Sequence, residues 1–368
     1  MANFCVHVFG LALALLASFC NSVHSSALNE HHVALFVFGD SLFDVGNNNY
    51  INTTNDYRAN FRPYGETSFP YPTGRFSDGF LIPDFIAKFA KVPLVPAYFR
   101  VKHGPFINGV NFASAGAGSL AETFSGMVID LKTQLGYFKK VSGHLKQELG
   151  TERTKELLSN AVYMFNIGSN DYVSTLVSNS SLFSSHTKKE YVDMVIGNFT
   201  TVIEEIYKEG GRKFVFFSVG NIGCAPLARA LNIQQTNSSG CLGSLQTLAH
   251  MHNEALQNMI TNLNKNLQGF KYSFFDFFAF ATHVFNNPSK YGFKDTKTAC
   301  CGSGPFRGFP SCGGKRQIKE YELCSNVEDY LFFDYAHASE KTYRLSATEL
   351  WEGTTYVAPN NVKLLFQL

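Results

Sequence analysis

Short unbroken apolar runs alternate along this chain with longer stretches in which apolar residues recur every three or four positions. The runs at 33–38, 107–113, 161–166, 213–219 and 271–277 are too short for helices and read as buried strands. Helical spacing marks 77–89, with Ser77 or Asp78 as its cap, and then 129–149, 151–159, 188–208, 243–267 and 339–350. Gly210 and Gly211 close the helix at 188–208. Five strands separated by amphipathic helices predict a parallel sheet covered on both faces, with its ligand site beyond the carboxyl ends of the strands. Two stretches stand outside the pattern. Residues 47–76 are dense in Asn, Pro, Gly and Tyr and are long enough for a functional loop over such a site, and residues 299–324 are rich in Cys and Gly.

Candidate chemistry sits at the strand ends. The first run stops in Gly39-Asp40-Ser41, which delivers a serine to the sheet edge. Phe43 occupies the place where a Gly-x-Ser-x-Gly elbow has its second glycine, so the α/β-hydrolase motif is absent. A serine hydroxyl is a weak nucleophile at neutral pH. It needs a base, a carboxylate to orient that base, and donors for the developing oxyanion. Leu331-Phe332-Phe333-Asp334-Tyr335-Ala336-His337 offers both acid and base in one loop: Asp334 to hold one imidazole nitrogen, His337 to take the serine proton with the other. Gly116 and Asn170 also fall just after predicted strands and converge on the same edge.

Composition narrows the classes. The chain has 368 residues and a net charge of +2, and it holds no Lys/Arg run, which leaves no electrostatic footprint for nucleic acid. Its 36 Phe and 17 Tyr are read mainly as core, with an apolar groove for an acyl chain or aromatic ester as the sharper reading. Residues 1–27 resemble a secretory signal, with a short apolar segment followed by small residues, although no Lys or Arg precedes it. Removal would leave a secreted chain, extracellular or in the cell wall, with one domain over 28–368 and no stable membrane span. Six cysteines then remain, and in a secreted chain they favour disulfides: Cys224 with Cys241, and the adjacent Cys300 and Cys301 shared between Cys312 and Cys324. No Cys-x-x-Cys spacing points to zinc. Asn52, Asn179, Asn198 and Asn237 begin glycosylation triplets. Gly116-Ala117-Gly118 lacks the rest of a dinucleotide fingerprint, and His250 and His252 read as structural or solvent-facing.

Five blocks carry a family resemblance: Phe38-Gly39-Asp40-Ser41, Asp44-Val45-Gly46-Asn47-Asn48-Asn49-Tyr50, Asn108-Gly109-Val110-Asn111-Phe112-Ala113-Ser114, Gly168-Ser169-Asn170-Asp171-Tyr172 and Asp334-Tyr335-Ala336-His337. In this order the sequence resembles a plant-type GDSL esterase/lipase of the SGNH hydrolase superfamily, nearest to its secreted, defence-associated group. The resemblance implies a flavodoxin-like three-layer α/β/α sandwich with a five-stranded parallel sheet. It implies Ser41 as nucleophile, Asp334 and His337 as its relay, and an oxyanion hole made by the Ser41 N–H, the Gly116 N–H and the Asn170 amide. It implies no metal and no organic cofactor, and a small-molecule or lipid ester as substrate. Ala338 stands where the family usually has proline. An acyltransferase that passes the acyl group to an alcohol, and a catalytically silent binding protein, are the alternative readings.

Overall fold

The computed structural model describes residues 33–101, 104–177 and 181–368. The proposed signal and Asn179 lie outside the described residues. Strands β1 (Leu35–Gly39), β2 (Val162–Asn166), β3 (Lys213–Phe217) and β4 (Lys271–Phe275) run parallel and side by side in chain order. Their side chains obey the strand period of two. On one face Phe36 and Phe38 align with Tyr163 and Phe165 and then with Phe214 and Phe216, the rings stacking at 5.4 Å for Phe36–Tyr163 and 4.8 Å for Phe38–Phe165. The other face carries Leu35, Val37, Val162, Met164 and Val215.

Both faces are buried because helices cover both. Leu131–Leu149, Lys188–Glu209 and Gly243–Asn266 pack on the aromatic face, and Ile82–Phe89, Phe277–Asn286 and Glu340–Glu352 on the aliphatic one, completing the three-layer α/β/α arrangement. Thr187 and Glu190 start the Lys188–Glu209 helix as a reciprocal capping box.

Three local expectations change. The segment at 107–113 does follow the free edge of β1, with Val37 N–H donating to Val110 O at 3.0 Å and Phe112 N–H to Val37 O at 2.7 Å. It is not a regular strand, because Asn111 turns its side chain on nearby backbone, donating to Phe43 O at 2.7 Å and accepting from Ala113 N–H at 3.0 Å. The fifth place in the sheet belongs to β5 (Val357–Pro359), antiparallel to β4, which corrects the all-parallel expectation. A strand with Pro359 has no N–H there to donate and suits an edge. Finally, the helix expected from Ser77 begins at Ile82. Ser77 donates to Ala338 O and Asp78 accepts from Glu340 N–H, so the two expected caps tie distant loops together and Asp84 accepts the Leu81 N–H in their place.

Candidate active site

Gly39 lets the serine reach the sheet edge. Its φ is +144°, and a Cβ there would lie 2.2 Å from the Asn166 carbonyl oxygen of β2, so no side chain fits. Gln134 grips the same residue from the helix above, accepting from Gly39 N–H and donating to Gly39 O, each at 2.9 Å. Ser41 follows, and its Oγ stands 2.8 Å from His337 Nε2. The other imidazole nitrogen, Nδ1, lies 2.7 Å from Asp334 Oδ1. With the proton assigned to Nδ1, that nitrogen donates to the carboxylate, and Nε2 is free to accept from the serine hydroxyl.

Both oxygens of the Asp334 carboxylate are engaged. Oδ1 also takes the backbone N–H groups of Ala336 and His337, both at 2.9 Å, while Oδ2 accepts from the Tyr64 hydroxyl at 2.6 Å. Burial pushes the Asp334 carboxyl up, but His337, then the Arg316 charge and the Tyr64 hydroxyl, outweigh it and hold the group at about 2. It is therefore an anion. Burial drives the Tyr64 phenol well above its ordinary value, so its proton stays in place to be donated. Arg316 completes the chain: its Nη1 donates to the Tyr64 oxygen at 2.9 Å and to Cys312 O at 3.2 Å, while Nε and Nη2 donate to the carbonyls of Asn55 and Arg58. The guanidinium thus pins the loop at 47–76 and the cysteine-rich stretch to the carboxylate that holds His337.

The structure brings the oxyanion candidates to the same edge. The loop after Ser41 fixes the turn that carries Gly116: Asp44 accepts the Ala115 N–H at 3.0 Å, and Asn48 donates to Ala115 O at 2.9 Å. Gly116 has φ +85°, and a Cβ would come within 2.5 Å of the Tyr57 ring. Among the described residues neither the Ser41 nor the Gly116 N–H has a protein acceptor. Asn170 spends one amide hydrogen on Ala117 O at 3.0 Å and keeps the other. Donors left open beside a serine can receive negative charge that develops on a bound carbonyl.

Ala338, in place of the family's proline, adds a bond that proline could not make, its N–H donating to the Tyr343 hydroxyl at 3.3 Å. His252 is fully buried, bonded to the Tyr172 hydroxyl at 2.7 Å, and His250 lies exposed against Phe278. Both stay out of the site. Cys224 pairs with Cys241, Cys300 with Cys324 and Cys301 with Cys312. Asn52, Asn198 and Asn237 are exposed. Sequence reasoning missed Tyr64, Arg316 and Gln134, for none of these carries a local motif.

The family of GDSL-like lipases and acylhydrolases matches residues 35–350. The chain is 49% identical over 353 residues to GDSL esterase/lipase 2 of Arabidopsis thaliana, covering 95% of this chain and 93% of that one. It is 50% identical to GDSL esterase/lipase 1 of the same plant over 352 residues, 95% and 94% of the two chains. To the GDSL lipase of Tanacetum cinerariifolium it is 46% identical over 358 residues, 97% and 94%. This chain therefore belongs to the GDSL-like lipase/acylhydrolase family and is a carboxylic ester hydrolase.

Proposed function

We propose that this chain is a secreted serine esterase that works through an acyl-enzyme on Ser41. His337 removes the Ser41 proton as Oγ attacks the ester carbonyl, and Asp334 stabilises the imidazolium that results. The oxygen of the tetrahedral intermediate lies among the Ser41 N–H, the Gly116 N–H and the Asn170 amide. Collapse breaks the bond to the alkoxy oxygen, which leaves as the alcohol with the proton from His337. A water then gives its proton to His337 and attacks the acyl carbon. Ser41 Oγ departs, regains that proton, and the free acid is released.

One observation carries this reading: the imidazole of His337 lies between Asp334 at 2.7 Å and Ser41 at 2.8 Å, the serine being 296 positions from His337. Hydrolysis of p-nitrophenyl esters by the purified chain, beside Ser41→Ala and His337→Ala, is the test. A fall of about 10³-fold or more in kcat is expected for each variant. Full activity in either would sink the proposed relay.

Secretion is supported by the short apolar segment in residues 1–27, the paired cysteines and the exposed acceptors Asn52, Asn198 and Asn237. Among the described residues no helix is long and apolar enough to cross a membrane. The mature chain would then run over 28–368 as one domain. Expression in plant cells is expected to put glycosylated protein in the medium with an amino terminus near residue 28. Retention in the cell with an intact Met1 would overturn the assignment.

A further inference from the structure

A cavity of about 110 Å³ adjoins the site at the carboxyl ends of the parallel strands. Part of its lining comes from immediate neighbours of the reacting groups: Leu42 beside Ser41, Ser169 beside Asn170, and Ala336 and Ala338 on either side of His337. The remainder is mostly apolar, with Phe280, Val284, Phe285 and Leu331 prominent. Most of the polar groups that reach it are already engaged. Asn221 donates to Thr282 Oγ1 and accepts from Gln246, Thr342 donates to Leu331 O, and Ser346 donates to Thr342 O. A polar guest would lose its hydrogen bonds to water and find few replacements here, whereas an apolar one gains by leaving water.

Volume sets the length. The space is smaller than the ~150 Å³ engineered cavity that admits benzene, so in proportion to that six-carbon guest it holds about four or five carbons. We infer that this cavity receives the acyl part of the ester and limits it to a short aliphatic chain of about four to six carbons, so that the chain acts as a short-acyl esterase in preference to long-chain lipids. The inference rests on the reading of Ser41 as nucleophile, because only attack there places the acyl carbon beside Leu42 and Ala338.

The experiment is a series of p-nitrophenyl esters from acetate to palmitate, each kept monomeric, with the native chain, Ala281→Phe to fill the cavity and Phe285→Ala to enlarge it. Both positions are half-buried, on the Phe277–Asn286 helix. Native kcat/KM is expected to rise about fourfold per methylene up to butyrate or hexanoate and to fall about tenfold or more by palmitate. Ala281→Phe should cut the hexanoate-to-acetate ratio of kcat/KM about tenfold, and Phe285→Ala should move the optimum to longer chains. Palmitate as the best substrate, or an unchanged ratio in Ala281→Phe, would overturn the inference with the nucleophile intact. Calorimetry of octan-3-one, the ketone isostere of methyl hexanoate, on the Ser41→Ala protein separates the two claims. Binding that Ala281→Phe abolishes supports the cavity even if Ser41→Ala proves fully active and the nucleophile reading falls. Absence of binding counts against the cavity.

Discussion

Asp40 and Asp334 flank the two side chains that face one another in the site, and both are buried, at 1% and 0% exposure, yet their carboxyls are driven in opposite directions. Burial raises Asp40 to about 7; the Leu42 N–H only partly offsets it, and the nearby Asp171 charge adds to it. Burial acts on Asp334 as well, but His337, Arg316 and Tyr64 overcome it and take that carboxyl to about 2. Equal burial, opposite outcome: the difference is whether cations and strong donors are brought in from elsewhere. The serine arm is held by the sheet backbone and Gln134. The base arm is a loop held by side chains of other loops, and it is the more vulnerable of the two.

Arg316→Met attacks that vulnerability hardest. It leaves the Tyr64 oxygen and the carbonyls of Arg58 and Cys312 without their donor and the Asp334 charge without its distant cation. A stability loss of about 3–5 kcal/mol is expected from urea unfolding, as for a buried charge network broken on one side. The midpoint in urea of a Gln134→Ala variant, which loosens the serine arm, should fall less. The reverse ranking would dissolve the contrast between the arms.

Tyr64→Phe makes a sharper and smaller cut. Loss of one hydrogen bond to an ionised acceptor is expected to cost about 1.5–3 kcal/mol of support for the relay. We expect kcat to fall about tenfold or more with KM unchanged. Native kcat would assign Tyr64 a packing role only.

The pH dependence of stability separates the two carboxyls directly. Asp40 at about 7, and Asp44 and Asp171 at about 6, are all raised by burial, so the folded state binds protons more tightly than the unfolded chain. Their contribution is present below the unfolded carboxyl value and is lost as pH rises through 6 to 7. The lowered Asp334 works the other way, contributing above the unfolded value and failing only as pH falls towards 2. Thermal midpoints should therefore be higher at pH 5 than at pH 8, and Asp40→Asn should flatten the slope. A midpoint that climbs from pH 5 to 8 would contradict the assignment of these groups.

Much of this arrangement was legible in the sequence, because its causes act within a few residues. Alternation in Leu35-Phe36-Val37-Phe38 sets which side chain meets which face, Thr187 and Glu190 cap a helix within one turn, and Asp334 and His337 are close enough to share a loop. Ser77 and Asp78 show the limit of such reasoning. Both are sound helix caps locally, but folding gives their side chains partners around Ala338 and Glu340. The antiparallel β5 at the sheet edge, the irregular path of 107–113 and the support of Asp334 belong to the same class. Tyr64 lies 270 positions from Asp334 and 252 from Arg316. The sequence by itself determined the four parallel strands and the polar residues that follow their ends. Only the tertiary structure decided which buried charge received a partner, because that depends on chain segments that no local periodicity or capping rule brings together.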